Sequence, residues 1–153
     1  PANLTFAEKM AGMGAQVLGD GLGLLRIGLL PSARVQDEDG VTYARTREKH
    51  EAKLDWSEPA VQLADKVRSF NPWPIAEAML AGERVRIHGA VAVPGGEGVA
   101  PGTIVGATRE GLDVATGHGL LRIRVLQREG GKAIAAAAAL NGNFLASRRD
   151  LRA

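Results

Sequence analysis

The chain has 153 residues, 45% of them hydrophobic and 24% charged, with 20 Gly and 7 Pro, a balance that excludes both a disordered tail and a collagen-like rod. Nineteen Lys and Arg against seventeen Asp and Glu leave a net charge of +2, too small for wholesale polyanion binding. The absence of Cys excludes a disulfide scaffold, a Cys-ligated zinc and a thiol nucleophile, and no apolar run reaches the roughly 18 residues that span a bilayer.

Thr5 followed by Glu8 forms a capping-box pattern, so a helix is expected to open there. Met10, Met13, Val17, Leu18, Leu24 and Leu25 continue it near helical spacing. Gly12, Gly14, Gly19, Gly21 and Gly23 each weaken it by about 1 kcal/mol relative to Ala, so it calls for a packing partner. Pro31 to Gly40 is polar and turn-rich, and Val41 to Leu54 carries alternating charges; together they read as an exposed strap between two units. Ser57 is placed to cap a helix that Pro59 starts, with Val61, Leu63, Ala64, Val67 and Phe70 as its apolar stripe and Asn71-Pro72-Trp73-Pro74 as its stop. From Arg84 the period becomes two: Val85, Ile87, Gly89 and Val91 form the inward set, and Arg84, Arg86 and His88 the outward one. Short strand patterns recur at Thr103 to Ala107, Leu112 to Ala115 and Gly119 to Gln127, which predicts a small antiparallel barrel or sandwich. Lys132 to Leu140 fits either an Ala-rich helix or an Ile-centred strand leading into a helical turn.

Catalytic chemistry has little to work with. His50, His88 and His118 lack a metal-like partner at i+2 to i+4, and no catalytic, metal or cofactor-binding residue is assigned. Gly19 to Gly23 falls inside the helical pattern, and Pro94 to Gly98 lacks the Lys and Ser/Thr of a phosphate loop. Trp56, Trp73 and Phe70 offer either core or base-stacking surfaces, and their place at helix boundaries beside prolines favours core. Charge is more informative. Residues 1–60 hold seven basic and nine acidic groups, and residues 61–153 hold twelve and eight. Arg122 and Arg124 alternate with Leu121, Ile123 and Val125, so they share an outward face, and with Arg84 and Arg86 they make either a basic stripe or an ordinary solvated face. Arg45, Arg47, Lys49 and Lys53 form a second candidate on the strap, where flexible positive charge suffices for phosphate.

Seven blocks occur in a familiar order: Thr42-Tyr43-Ala44, Glu51 to Ser57 (EAKLDWS), Val67 to Pro74 (VRSFNPWP), Pro101-Gly102-Thr103-Ile104, Gly111 to Gly117 (GLDVATG), Leu126-Gln127 and Leu140-Asn141-Gly142. Over about residues 42 to 142 they resemble the C-terminal part of the methionyl-tRNA formyltransferases, and residues 5 to 29 resemble the last helix of that family's catalytic domain. Thr46 stands where the family's strap usually has Lys, and Ile75 where it usually has Gly. The resemblance implies a mainly β fold with flanking helices (α+β), a partly open five-stranded OB-like barrel over residues 55–153. A catalytic-domain helix at 1–30 and a linker at 31–54 would precede it. It also implies a formyltransferase parent that moves a formyl group from 10-formyltetrahydrofolate to methionyl initiator tRNA in the cytoplasm. The folate and the catalytic Asn, His and Asp would belong to an N-terminal domain, which fits Pro1 standing in place of Met. This chain would then bind no cofactor and have no activity alone; its partners would be the initiator tRNA backbone and the catalytic domain. The tRNA contacts would be Arg45, Arg47, Lys49, Lys53, Arg84, Arg86, Arg122 and Arg124. Sugar formyltransferases and formyltetrahydrofolate dehydrogenases carry a related barrel, and a free-standing RNA-binding module is a third reading; the Thr42-Tyr43-Ala44 and Asp55-Trp56-Ser57 blocks favour the tRNA enzyme.

Overall fold

The computed structural model describes residues 3–29 and 31–141, in two compact units, one ending at Arg47 and the other beginning at Glu48. In the first, helix α1 (Asn3–Arg26) holds its five glycines within one continuous helix. Thr5 is already helical, so it cannot cap in the expected manner, because an N-cap residue lies outside helical backbone geometry. The helix ends where Gly28, at φ 73°, turns left-handed: its N–H reaches the Leu25 carbonyl at 3.1 Å and that of Leu29 the Leu24 carbonyl at 3.0 Å, which satisfies two terminal carbonyls. Phe6, Met10, Met13, Val17, Leu18 and Leu25 on this helix are all exposed. No repeating element follows from 31 to 48, as the turn-rich composition predicts.

The second unit opens on a 3-10 turn, Lys49–Ala52, after which Ala52 and Leu54 are buried, so residues 48–54 of the expected strap pack with the sheet that follows. Helix α2 (Ala60–Ser69) is capped by Pro59 without a side-chain bond. Ser57 does not cap it: its hydroxyl and N–H both donate to Asp55 Oδ1, at 2.7 and 2.9 Å, and the turn this closes directs the hydroxyl away from the helix. Leu63, Ala64, Val67 and Phe70 are buried as the stripe requires, but Val61, one residue off the 3.6-residue repeat, is 62% exposed.

Strand β1 (Ala76–Leu80) was not marked by any strand pattern in the sequence. Strands β2 (Glu83–Val93), β3 (Ile104–Thr108), β4 (Gly111–Ala115) and β5 (Leu120–Arg128) lie where the period-two runs predict. Lys132 to Leu140 resolves into the second of its two readings, a short strand β6 (Ile134–Ala135) running into helix α3 (Ala136–Asn141). All the pairings are antiparallel, in the order β1-β2-β5-β4-β3 with β6 beside β5, which makes an open six-stranded sheet. The five-strand expectation is met by the main path, and β6 adds a two-residue sixth.

Leu63 and Val67 of α2 close the core over Val85, Ile87, Leu112, Val114, Leu121, Ile123 and Leu126. The β2–β5 pairing is irregular: Ile87 faces Leu126, Gly89 faces Val125 and Ala90 faces Ile123, so His88 and Arg124 are left without a register partner. Beyond this bulge Ala90 and Ala92 pack on the core, in place of the Gly89 and Val91 expected from simple alternation. For the same reason Val125 is only half-buried, and Leu126 takes the core position.

Candidate nucleic-acid interface

At the edge of the sheet lies a groove of about 540 Å³ that carries most of the unit's predicted cations. Leu54 donates its N–H to the Glu77 carbonyl at 2.8 Å and Lys53 bridges to Glu77, which lays this segment along β1. Across β1, Arg86 faces Glu77 in register, and Arg84, two residues earlier on the same outward side, donates through Nε to Glu77 Oε2 at 3.1 Å. Lys49 and His50 on the 3-10 turn line the groove further, as do Trp73, Pro74 and Ile75 from the segment between α2 and β1. Four cations thus surround one carboxylate. His50 Nδ1 lies 3.1 Å from Glu48 Oε2, and among the described residues Lys49, Lys53 and Arg86 have no ion-pair partner.

Trp73 departs from the core reading. Trp56 does pack against the core, its indole N–H donating to the Met79 carbonyl at 2.9 Å, and Phe70 is buried. Trp73, by contrast, is 55% exposed, because the loop turns it away from the sheet while Phe70 alone enters the core.

The other predicted arginines lie elsewhere. Arg122 is directly opposite Asp113 in the β4–β5 ladder and grips it with two bonds, Nε to Oδ1 at 2.7 Å and Nη2 to Oδ2 at 2.9 Å; Glu110 accepts a third. The Asp113 hydrogen bonds and charge, aided by Glu110, hold this guanidinium in its charged form well above its ordinary range. Two carboxylates therefore outweigh its charge, and its role is to tie two strands together. Arg86 is in register with Gln127 and Arg122 with Val91, five residues further along β2, which at about 3.4 Å per residue separates them by roughly 17 Å. Arg124 projects outward at the bulge, exposed. Arg45 and Arg47 belong to the first unit, and each already has an interaction partner.

Among the described residues of this unit, nothing else assembles a reactive centre. His88 Nε2 pairs with Gln127 Oε1 at 2.8 Å, and His118 sits in a turn, its carbonyl accepting from the Ala60 N–H at 2.9 Å. No group of three or more His, Asp or Glu among the described residues could hold a metal. What the groove can do chemically is bind anions and present an aromatic face.

The family described as "Formyl transferase, C-terminal domain" matches residues 47–143. Methionyl-tRNA formyltransferase of Stenotrophomonas maltophilia (strain K279a) is 63% identical over 145 residues, 95% of this chain and 46% of the relative. That of Xanthomonas campestris pv. campestris (strain 8004) is 58% identical over 146 residues, again 95% and 46%. The chain therefore spans about half the length of the curated relatives it matches. Among solved structures, HypX from Aquifex aeolicus in complex with tetrahydrofolic acid superposes with a TM-score of 0.56 at 20% identity, covering 66% of this chain and 18% of HypX. A HypX variant gives 0.59 at 17% identity, covering 82% and 23%. These likenesses extend to the fold alone. The family match spans nearly the same residues as the seven sequence blocks, and on that evidence this chain belongs to the formyl transferase C-terminal domain family.

Proposed function

We propose that this chain is the tRNA-holding part of a methionyl-tRNA formyltransferase. The whole enzyme would transfer a formyl group from 10-formyltetrahydrofolate to the α-amino group of methionine on initiator tRNA, a step of translation initiation in the cytoplasm. The observation that carries the reading is the groove in which Lys49, Lys53, Arg84 and Arg86 surround a single carboxylate; the names of the relatives supply the identity of the polyanion. On this reading the open sheet acts as an OB-like platform. Phosphates replace counterions along the groove, and the bound tRNA is oriented so that its acceptor end reaches a catalytic domain, an entropic contribution to the reaction. Arg45, Arg47 and Arg124 would add contacts outside the groove, whereas Arg122 is retained by Asp113 and Glu110.

The test is tRNA binding by the 153-residue chain as a function of salt. Three phosphate contacts, on Lys49, Lys53 and Arg86, with Arg84 held by Glu77, predict a log-log slope of about 2.5, from roughly 0.7 to 0.9 each. Changing Lys53 and Arg86 to Ala should lower it by about 1.5, equally for initiator and elongator tRNA, because backbone contacts position without specifying sequence. An unchanged slope in that double variant, or no tRNA binding by the wild type, would refute the assignment.

A further inference from the structure

Phosphate binding leaves Trp73 unused. Of the three aromatic side chains between residues 48 and 141, only this one is exposed, and a large apolar ring kept in water forgoes the stabilisation its burial would bring. The segment that carries it is fixed at both ends. Phe70 is anchored in the core, Asn71 Nδ2 donates to the His88 carbonyl at 2.7 Å, and the Ile75 N–H closes the turn on the Phe70 carbonyl at 2.9 Å. Ile75 holds φ 72°, a left-handed conformation that is costly for a β-branched residue. Strain of this kind persists only where the surroundings over-determine it, and it concentrates at ligand sites. The indole is thus presented on a rigid support, beside four cations in one groove.

We propose that the Trp73 indole stacks on an unpaired base of the RNA whose phosphates lie on Lys49, Lys53 and Arg86, so that the groove takes a locally single-stranded nucleotide. The inference rests on the reading of the groove as an RNA site and goes beyond it in naming what the aromatic face recognises. An aromatic ring within a positively charged groove is the combination that binds single strands without sequence preference, since every base offers a π-face. A pre-positioned ring loses little conformational freedom on binding. Duplex RNA keeps its bases stacked inside and offers none to the indole. An acidic peptide would satisfy the cations but place no base on the ring.

The experiment titrates the 153-residue chain and its Trp73→Leu and Trp73→Phe variants with three probes: a short single-stranded RNA of mixed sequence, a blunt RNA duplex and polyglutamate. Tryptophan emission and anisotropy are recorded. The single strand should quench wild-type emission, and the quench should vanish in Trp73→Leu, which keeps only Trp56. Single-strand affinity should fall about 5- to 150-fold in Trp73→Leu and far less in Trp73→Phe, which retains a stacking ring. Duplex and polyglutamate affinities and all salt slopes should be unchanged, because no charge is altered. Single-strand binding by Trp73→Leu as tight as that of the wild type would overturn the stacking role. So would equal losses for all three probes. In either case the salt-dependent contribution of Lys53 and Arg86 to tRNA binding would stand on its own. A wild-type chain that binds no tRNA would defeat the RNA reading of the groove, and this proposal with it.

Discussion

Gly117→Ala isolates the contact that seats α2 on the sheet. A Cβ at Gly117 would lie 1.8 Å from the Ser57 carbonyl oxygen and 2.7 Å from its carbon, both backbone atoms that no rotamer change can move. An ordinary carbon–oxygen contact is about 3.3 Å, so one of the two segments must retreat by roughly 1.5 Å, an overpacking that costs about 1–3 kcal/mol. The same retreat breaks the Gly117 N–H bond to the Trp56 carbonyl, at 2.8 Å, and strains that from Ala60 to His118, at 2.9 Å. Each contributes about 1 kcal/mol, which brings the expected loss to about 3–5 kcal/mol. With a urea m-value of about 2 kcal/mol/M, the midpoint of denaturation followed by circular dichroism should drop by about 2 M. Gly14→Ala is the counterpart. Its Cβ meets nothing within 4 Å, so the replacement should strengthen α1 by about 1 kcal/mol, visible as added helical signal. A Gly117→Ala loss below about 1 kcal/mol would show that the Ser57 approach is not a structural constraint and refute the reasoning.

Three other outcomes follow from single sites. Glu77→Gln removes the groove's one carboxylate and releases Arg84, so tRNA affinity should rise and the salt slope steepen by about 0.7–0.9; a weaker complex would show Glu77 acting as an organiser of the groove. Ala81 and Gly82 turn β1 into β2 with φ values of 50° and 80°, the conformation that favours Asn-Gly, so Ala81→Asn should raise stability by about 0.5–1 kcal/mol, measured by urea titration. Hydrogen bonds from the Ser57 N–H and hydroxyl hold the Asp55 carboxyl below its ordinary 3.8, so its contribution to stability is full above that pH and is lost as pH falls through the lowered folded value. A carbon-detected titration should show the Asp55 midpoint rising in Ser57→Ala, which removes the hydroxyl bond, and an unmoved midpoint would assign the depression to the backbone alone.

Residue patterns located α2 and four of the strands because their signals are local: Leu63, Ala64 and Val67 repeat at helical spacing, and Val85 and Ile87 alternate with arginines. Strand β1 escaped because Ala76, Glu77 and Ala78 favour helix in isolation; pairing with β2 through the Ala81–Gly82 turn overrides that preference. The groove divides in the same way. Arg84 and Arg86 could be assigned to an outward face from spacing, but the approach of Lys53 to Glu77 is a contact between distant residues. Arg122 does point away from the core, yet only the β4–β5 register reveals that Asp113 waits opposite it. Trp73 read as core because an aromatic between prolines usually closes one; the fixed turn around it, which the amino-acid types do not disclose, reverses that expectation.

The bulge shared by β2 and β5 gives both strands a slip in mutational tolerance. On β2 the odd-numbered Val85 and Ile87 are the intolerant positions before it, and the even-numbered Ala90 and Ala92 after it; on β5 the parity changes between Ile123 and Leu126. A saturation scan should therefore show charged residues accepted at 84 and 86 but rejected at 90 and 92. One strand can in this way serve a polar groove with one end and an apolar core with the other, and the two ends can vary under separate constraints.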